Sequence, residues 1–238
     1  MRREISTVGD FLHIYTRGNR KQPIVRDQND WWYFVQMLFY FNSVLPIINP
    51  SREIRSISNI NLTKRNPFEW LDVWPPRNPL VKILSFVLVE NHFHLLVKEI
   101  REGGLTLFMR KLCTGLAMRF NKKYGEVGRL FQSSYKAKRV ESDEYLTYLS
   151  VYIQLKNVLE RYPGGFEKAM SEFDKATQWA IQDPYSSFGD YAGKRNSPII
   201  EKDVLGQLFP NQESYIRFAK SCLMSGDINQ KIGGLMFE

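Results

Sequence analysis

The twenty residues VKILSFVLVENHFHLLVKEI, positions 81–100, constrain the fold more than any other stretch. Two apolar runs, each of strand length and far short of a membrane span, flank Glu90, Asn91 and a His-Phe-His triplet. In an extended strand, residues i and i+2 share a face, so His92 and His94 would stand side by side as a ready pair of metal ligands. Phe93 would point the other way, into a core, and Leu95, Leu96 and Val97 continue a strand that is apolar on both faces. The plainer alternative is two polar residues on a sheet face. Scarcity argues against it: the chain has 3 histidines in 238 residues, and two sit in one apolar stretch where an uncompensated imidazole would be costly.

A chain of this length forms one large domain or one domain with an appendage. Its 43% hydrophobic and 14% aromatic content is ample for a packed core and excludes a disordered chain. MRREISTVGD at the start lacks the apolar segment of a signal peptide and no run reaches membrane-span length, so a cytoplasmic protein without membrane association is expected. Cys113 and Cys222 fit no metal or redox spacing and read as reduced thiols. A net charge of +8 favours an anionic partner, nucleic acid or a membrane surface, without choosing between them.

FLHIYTR, 11–17, alternates as a first strand closed by Gly18 and Asn19. His13 within it reads as structural, although it could approach the other two histidines across a sheet. A helix is predicted over 27–44, with Asp27, Asn29 or Asp30 as its cap, followed by a proline-rich irregular excursion over 46–80. From Leu105 to Lys123, Leu105, Phe108, Leu112, Leu116 and Phe120 recur at helical spacing, and Gly125 stops the helix. Residues 110–139 carry Arg110, Lys111, Arg119, Lys122, Lys123, Arg129, Lys136, Lys138 and Arg139 against the single acid Glu126. Phe120, Tyr124, Phe131 and Tyr135 interleave with them, a combination suited to phosphate neutralisation and base stacking.

A strand over 135–140 follows, and then a helix capped by Ser142 or Asp143 and ended by Pro163-Gly164-Gly165, with Tyr145, Tyr148 and Tyr152 along one face. For any single tyrosine there, a core position with the hydroxyl at the rim is the ordinary reading. Another helix is predicted over 166–183, then the loop PYSSFGDYAG anchored by Tyr185, Phe188 and Tyr191, then one or two short helices over 202–224.

The order strand, helix, strand, strand, helix, strand, helix is the ferredoxin-like βαββαβ arrangement: an α+β sandwich with an added C-terminal catalytic helix and a helical tail. That arrangement serves many functions and decides none. LHIYTRGNRKQPIV, ENHFHLL, FNKKYGEVGRLFQSSYKAKRV and EYLTYLSVYIQLKNV together, in that order, resemble the IS200-like tyrosine transposases of the HUH endonuclease superfamily, most closely the REP-associated type. The resemblance runs from about residue 2 to 195. It implies a transposase domain over 1–165, with the irregular 46–80 loop inside it, and a C-terminal extension over 166–238 packed on it.

By that resemblance His92 and His94 hold Mg2+ or Mn2+, Tyr152 attacks a DNA phosphate, and Arg17 joins the basic segment in contacting single-stranded or hairpin DNA. Imidazole ligation alone would equally suit zinc. Two positions depart from the family pattern. Glu90 replaces the proline of PNHxHLL, and Lys156 occupies the place, four residues after the tyrosine of YIxLNPV, where Asn or Gln completes the ion's ligands. A protonated lysine has no lone pair to give. Either Asn157 substitutes as a ligand, water or another residue completes the shell, or Lys156 acts on a phosphate. The resemblance implies single-strand nicking and joining through a 5′-phosphotyrosine. The alternatives are an inactive DNA- or RNA-binding regulator and a hydrolase of small phosphoesters. A monomer is expected over a homodimer.

Overall fold

The computed structural model describes residues 6–45 and 68–232. Most of the proline-rich excursion therefore lies outside the described residues, and the part that is described, 68–80, is irregular as expected. Strands β1 (Phe11–Arg17), β2 (Val81–Val89), β3 (His92–Glu99) and β4 (Lys136–Arg139) form one antiparallel sheet in the order β2-β3-β1-β4. This is the ferredoxin-like order. The predicted strands all form, each within a residue or so of its expected limits.

Cross-strand partners in an antiparallel pair share a face. Tyr15 faces His94 and Arg17 faces His92, while Lys136 and Lys138 of β4 face Tyr15 and His13. One face therefore carries His13, Tyr15, Arg17, His92 and His94. The other carries Leu12, Ile14, Phe93, Leu95 and Val97, all completely buried.

That apolar face is covered by α1 (Gln28–Tyr40) and α2 (Gly104–Tyr124). Asp27 caps α1 by accepting from the Asp30 amide, and Gly125 ends α2 in a left-handed conformation that a side chain would resist. α1 is shorter than predicted because residues 41–45 bend away to pin the start of β2. There the buried Asn42 accepts from the amides of Leu80 and Val81 and donates to the Val81 carbonyl.

The histidine face is covered by α3 (Asp143–Val151), which Ser142 caps. α3 does not run on as a uniform helix. It passes through a π-helical turn, Tyr152–Lys156, into a last α-helical turn, Asn157–Leu159. The helix predicted over 166–183 is two, α4 (Gly165–Ser171) and α5 (Phe173–Ile181), separated at the non-helical Glu172. The chain continues through α6 (Phe188–Tyr191), α7 (Asp203–Leu208), α8 (Gln212–Met224) and α9 (Ile228–Lys231).

These C-terminal elements share a core with α3: Leu146, Leu149, Ile153 and Val158 pack with Ala169, Phe173, Phe188 and Tyr215. They also close the outer edge of β2. The Leu88 amide donates to the Tyr185 carbonyl, those of Ser187 and Glu201 donate to Phe86 and Ile83, and the Tyr191 hydroxyl reaches the Leu84 carbonyl. The edge is thereby withdrawn from pairing with another chain. Phe188 and Tyr191 are buried anchors, and Tyr185 is half-buried against Trp31. Both cysteines are free thiols. No helix among the described residues is long and apolar enough to cross a membrane.

Candidate active site

His92 and His94 lie side by side, ring centroids 5.1 Å apart, with Tyr152 edge-on to His94 at 5.5 Å. Each histidine has its Nδ1 occupied from behind. His92 Nδ1 is 2.7 Å from Asn91 Oδ1, and His94 Nδ1 is 2.9 Å from His13 Nε2. The Asn91 amide is oriented, because its Nδ2 donates to the Lys21 carbonyl. Its oxygen therefore accepts from His92 Nδ1–H and leaves the lone pair of that ring on Nε2. Lys21 owes its carbonyl position to a tight turn in which Arg20 and Lys21 both take left-handed backbone angles, φ 52° and 63°. Such strain in two non-glycine residues persists where surrounding contacts hold it, and here it supports a histidine.

All three imidazoles are held neutral. Burial pushes His13 down to about 3, helped by the Lys138 charge. His92 is pushed down to about 4, by burial first and then by Arg17, with Arg161 adding to it and an Asn157 hydrogen bond opposing. Burial drives His94 well below its ordinary value, and the neighbouring His13 and His92 reinforce this. Neutral imidazole is the metal-binding form.

The π-helical turn settles which residue follows Tyr152 around the helix. In an α-helix, residue i+4 comes back beneath i; widening one turn to i+5 carries the next residue there instead. Lys156 is rotated away, its ammonium 2.5 Å from Glu160 and 5.4 Å from the Tyr152 ring centre. Asn157 takes the inner position. It is buried, donates to the Tyr152 carbonyl at 2.7 Å, and its side chain lies close enough to the Tyr152 hydroxyl and the His92 ring to influence the titration of both. Tyr152 itself is 6% exposed, and its hydroxyl is pushed up to about 12, first by burial and then by Glu160, against the Asn157 hydrogen bond.

Two neutral imidazoles and a carboxamide oxygen converging on one face suit a hard or borderline divalent cation. The donor set therefore fits a metal held by His92, His94 and Asn157. Among the described residues no group of three or more His, Cys, Asp and Glu side chains could hold a metal ion, so the donor set here consists of two imidazoles and a carboxamide.

The basic residues divide. Arg17 lies close enough to His92 to depress it. Arg110, Lys122, Arg129 and Lys136 are exposed. Lys111 instead donates to the carbonyls of Ser43 and Leu45, Lys123 bridges Asp27 and Asp30, and Arg139 pairs with Asp10 at 2.8 Å. Arg119 stacks on Tyr33 at 4.3 Å and Lys138 lies 5.1 Å over Tyr145. Of the expected stacking aromatics, Phe120 and Phe131 are buried in the core and Tyr124 donates to Asp30. Phe120 and Phe131 are therefore unavailable to bases.

Sequence reasoning missed Asn91 and Arg161 and read His13 as structural. Arg161 pairs with Asp183, stacks over Trp31 at 5.7 Å and projects its charge onto His92. No spacing rule marks it, since its approach to the histidines depends on the fold. Asn91 was signalled only by its adjacency to His92.

Residues 77–156 match the family model described as "Transposase IS200 like". The match takes in both histidines and Tyr152 and stops at Lys156, one residue before Asn157. A solved structure of a REP-associated tyrosine transposase bound to a REP hairpin aligns with a TM-score of 0.43 at 11% identity, over 84% of this chain and 89% of that one. No curated protein matches the chain.

Proposed function

We propose that the chain, whose residues 77–156 match the IS200-like transposase family model, is a divalent-metal-dependent enzyme that nicks and rejoins single-stranded or hairpin DNA. The observation that carries this reading is the convergence of His92, His94, Asn157 and Tyr152 within one chain, with Asn157 delivered by the π-turn. Because the tyrosine meets its own chain's histidines, a monomer suffices for the reaction.

His92, His94 and Asn157 would hold Mg2+ or Mn2+, whose chemistry is to bind a non-bridging phosphate oxygen and offset charge building there. Arg17, beside His92, adds positive charge for the same phosphate, whereas the charge of Arg161 is shared with Asp183. Tyr152 attacks phosphorus through its oxygen. The P–O3′ bond breaks, the 3′-hydroxyl leaves, and a 5′-phosphotyrosine conserves the bond for rejoining. The resting phenol is buried and protonated, so its proton leaves as the attack proceeds, matched by the proton that the departing 3′-oxygen gains. Lys156 does not supply that assistance at rest, since Glu160 neutralises it. Exposed Arg110, Lys122, Arg129 and Lys136 supply phosphate contacts along the strand.

The test is incubation with labelled hairpin DNA from sequence flanking the gene, with Mg2+ or Mn2+, followed by a denaturing gel. A covalent adduct that disappears with chelator and with Tyr152→Phe supports the reading. Adduct formation by the Phe variant would move the nucleophile to another tyrosine. Salt-sensitive binding with no adduct from any hairpin would make the chain a binding module.

A further inference from the structure

We propose that His13 is a positioning residue for the metal site, an imidazole that takes the proton-bearing Nδ1 edge of His94 so that the Nε2 lone pair of His94 faces the ion; this rests on the metal-dependent reading above. The pair is built deep. Both rings are fully buried, their nitrogens 2.9 Å apart and their planes within 17°. Nothing in the reaction itself employs His13, which sits one strand away on β1.

The bond can run in either direction. If His13 Nε2–H donates, His94 accepts at Nδ1 and carries its own proton on Nε2, the nitrogen a cation would need. If His94 Nδ1–H donates, His13 accepts at Nε2 and its proton moves to Nδ1. Only the second arrangement lets His94 ligate through Nε2. The adjacent histidine has that choice made for it, because Asn91 presents an oxygen that accepts only.

His13 thus performs for His94 what Asn91 does for His92, with one difference. The buried His13 Nδ1 has no hydrogen-bond partner, so holding a proton there carries a cost that an amide would not. Partners of this kind orient the ring and raise its basicity, and their loss commonly weakens metal affinity about 10–100-fold.

Calorimetric titration of the full chain with Mn2+ compares wild type, His13→Leu and His13→Gln. We expect Leu to weaken binding about 10–100-fold and Gln, which returns an acceptor oxygen, to recover most of it. Equal losses in both variants, or none in Leu, overturn the proposal while leaving the metal site standing. Absence of Mn2+ binding by wild type overturns the metal reading itself. Nitrogen-15 histidine spectra of wild type provide a readout independent of whether the variants fold. With Mg2+ bound, both His94 and His13 should carry their protons on Nδ1; a His94 proton on Nε2 refutes the proposal.

Discussion

The two faces of the sheet are made by alternate residues of the same strands, yet they solve opposite problems. Leu12, Ile14, Phe93, Leu95 and Val97, none of them polar, meet α1 and α2 in a predominantly apolar core. One residue along in each strand, His13, Tyr15, Arg17, His92 and His94 meet α3, and each of these histidines has a nitrogen held by a neighbouring side chain. Shape and volume suffice on the first face. On the second, a polar group displaced by one position loses its partner, so the face is specified atom by atom.

The contrast breaks most readily at one residue from each face. Tyr152→Phe should abolish adduct formation on gels while leaving the free energy of urea unfolding within about 1 kcal/mol of wild type, because the ring stays. Phe93→Ala, behind the histidines, should cost about 3–5 kcal/mol in urea unfolding. If both changes proved mainly structural, the division of labour would be wrong.

Acid should expose the histidine face. His13 and His92 titrate in the folded chain near 3 and 4, and His94 is also lowered, whereas unfolded histidine takes up its proton near 6.5. Below that value the unfolded chain binds more protons, so stability falls as pH drops from about 6.5 towards 4, by up to about 1.4 kcal/mol per pH unit for each buried imidazole. A flat profile between pH 6.5 and 5 in urea melts would show that these rings protonate without opening the fold.

Smaller effects sharpen the division. Asn91→Ala should weaken Mn2+ binding by about tenfold in calorimetry, with DNA affinity in chelator unchanged. Lys122→Ala and Arg129→Ala should each lower the slope of log affinity against log salt by about one and weaken DNA uniformly. Lys123→Ala should leave that slope unchanged, since its charge is spent on Asp27 and Asp30.

The strands, α2 and the His-Phe-His pair were legible because periodicity of two or 3.6 reports burial directly. The histidine pair needed only the i, i+2 rule, and β1 joined it once Tyr15 and Arg17 paired with His94 and His92. Charge proved less legible than pattern. Lys111, Lys123 and Arg139 look like DNA contacts in a row of letters, but carbonyls and acids remote in sequence claim them. Phe120 and Phe131 failed as stacking residues for a related reason, since an aromatic among basic residues can serve the core as readily as a ligand. The split of the helix predicted over 166–183 and the approach of Arg161 to His92 depend on tertiary packing, which local propensity does not encode.

The wide turn at Tyr152–Lys156 makes the helix a vernier. Removing Lys156 would return Asn157 to the fourth place after Tyr152 on an unbroken α-helix, with the carboxamide facing the same two partners. Chains that differ by one residue can therefore display one constellation, and the length difference is absorbed inside a helix without any loop to take it up. A motif search that counts letters will score such chains as different, although their reactive atoms occupy equivalent places.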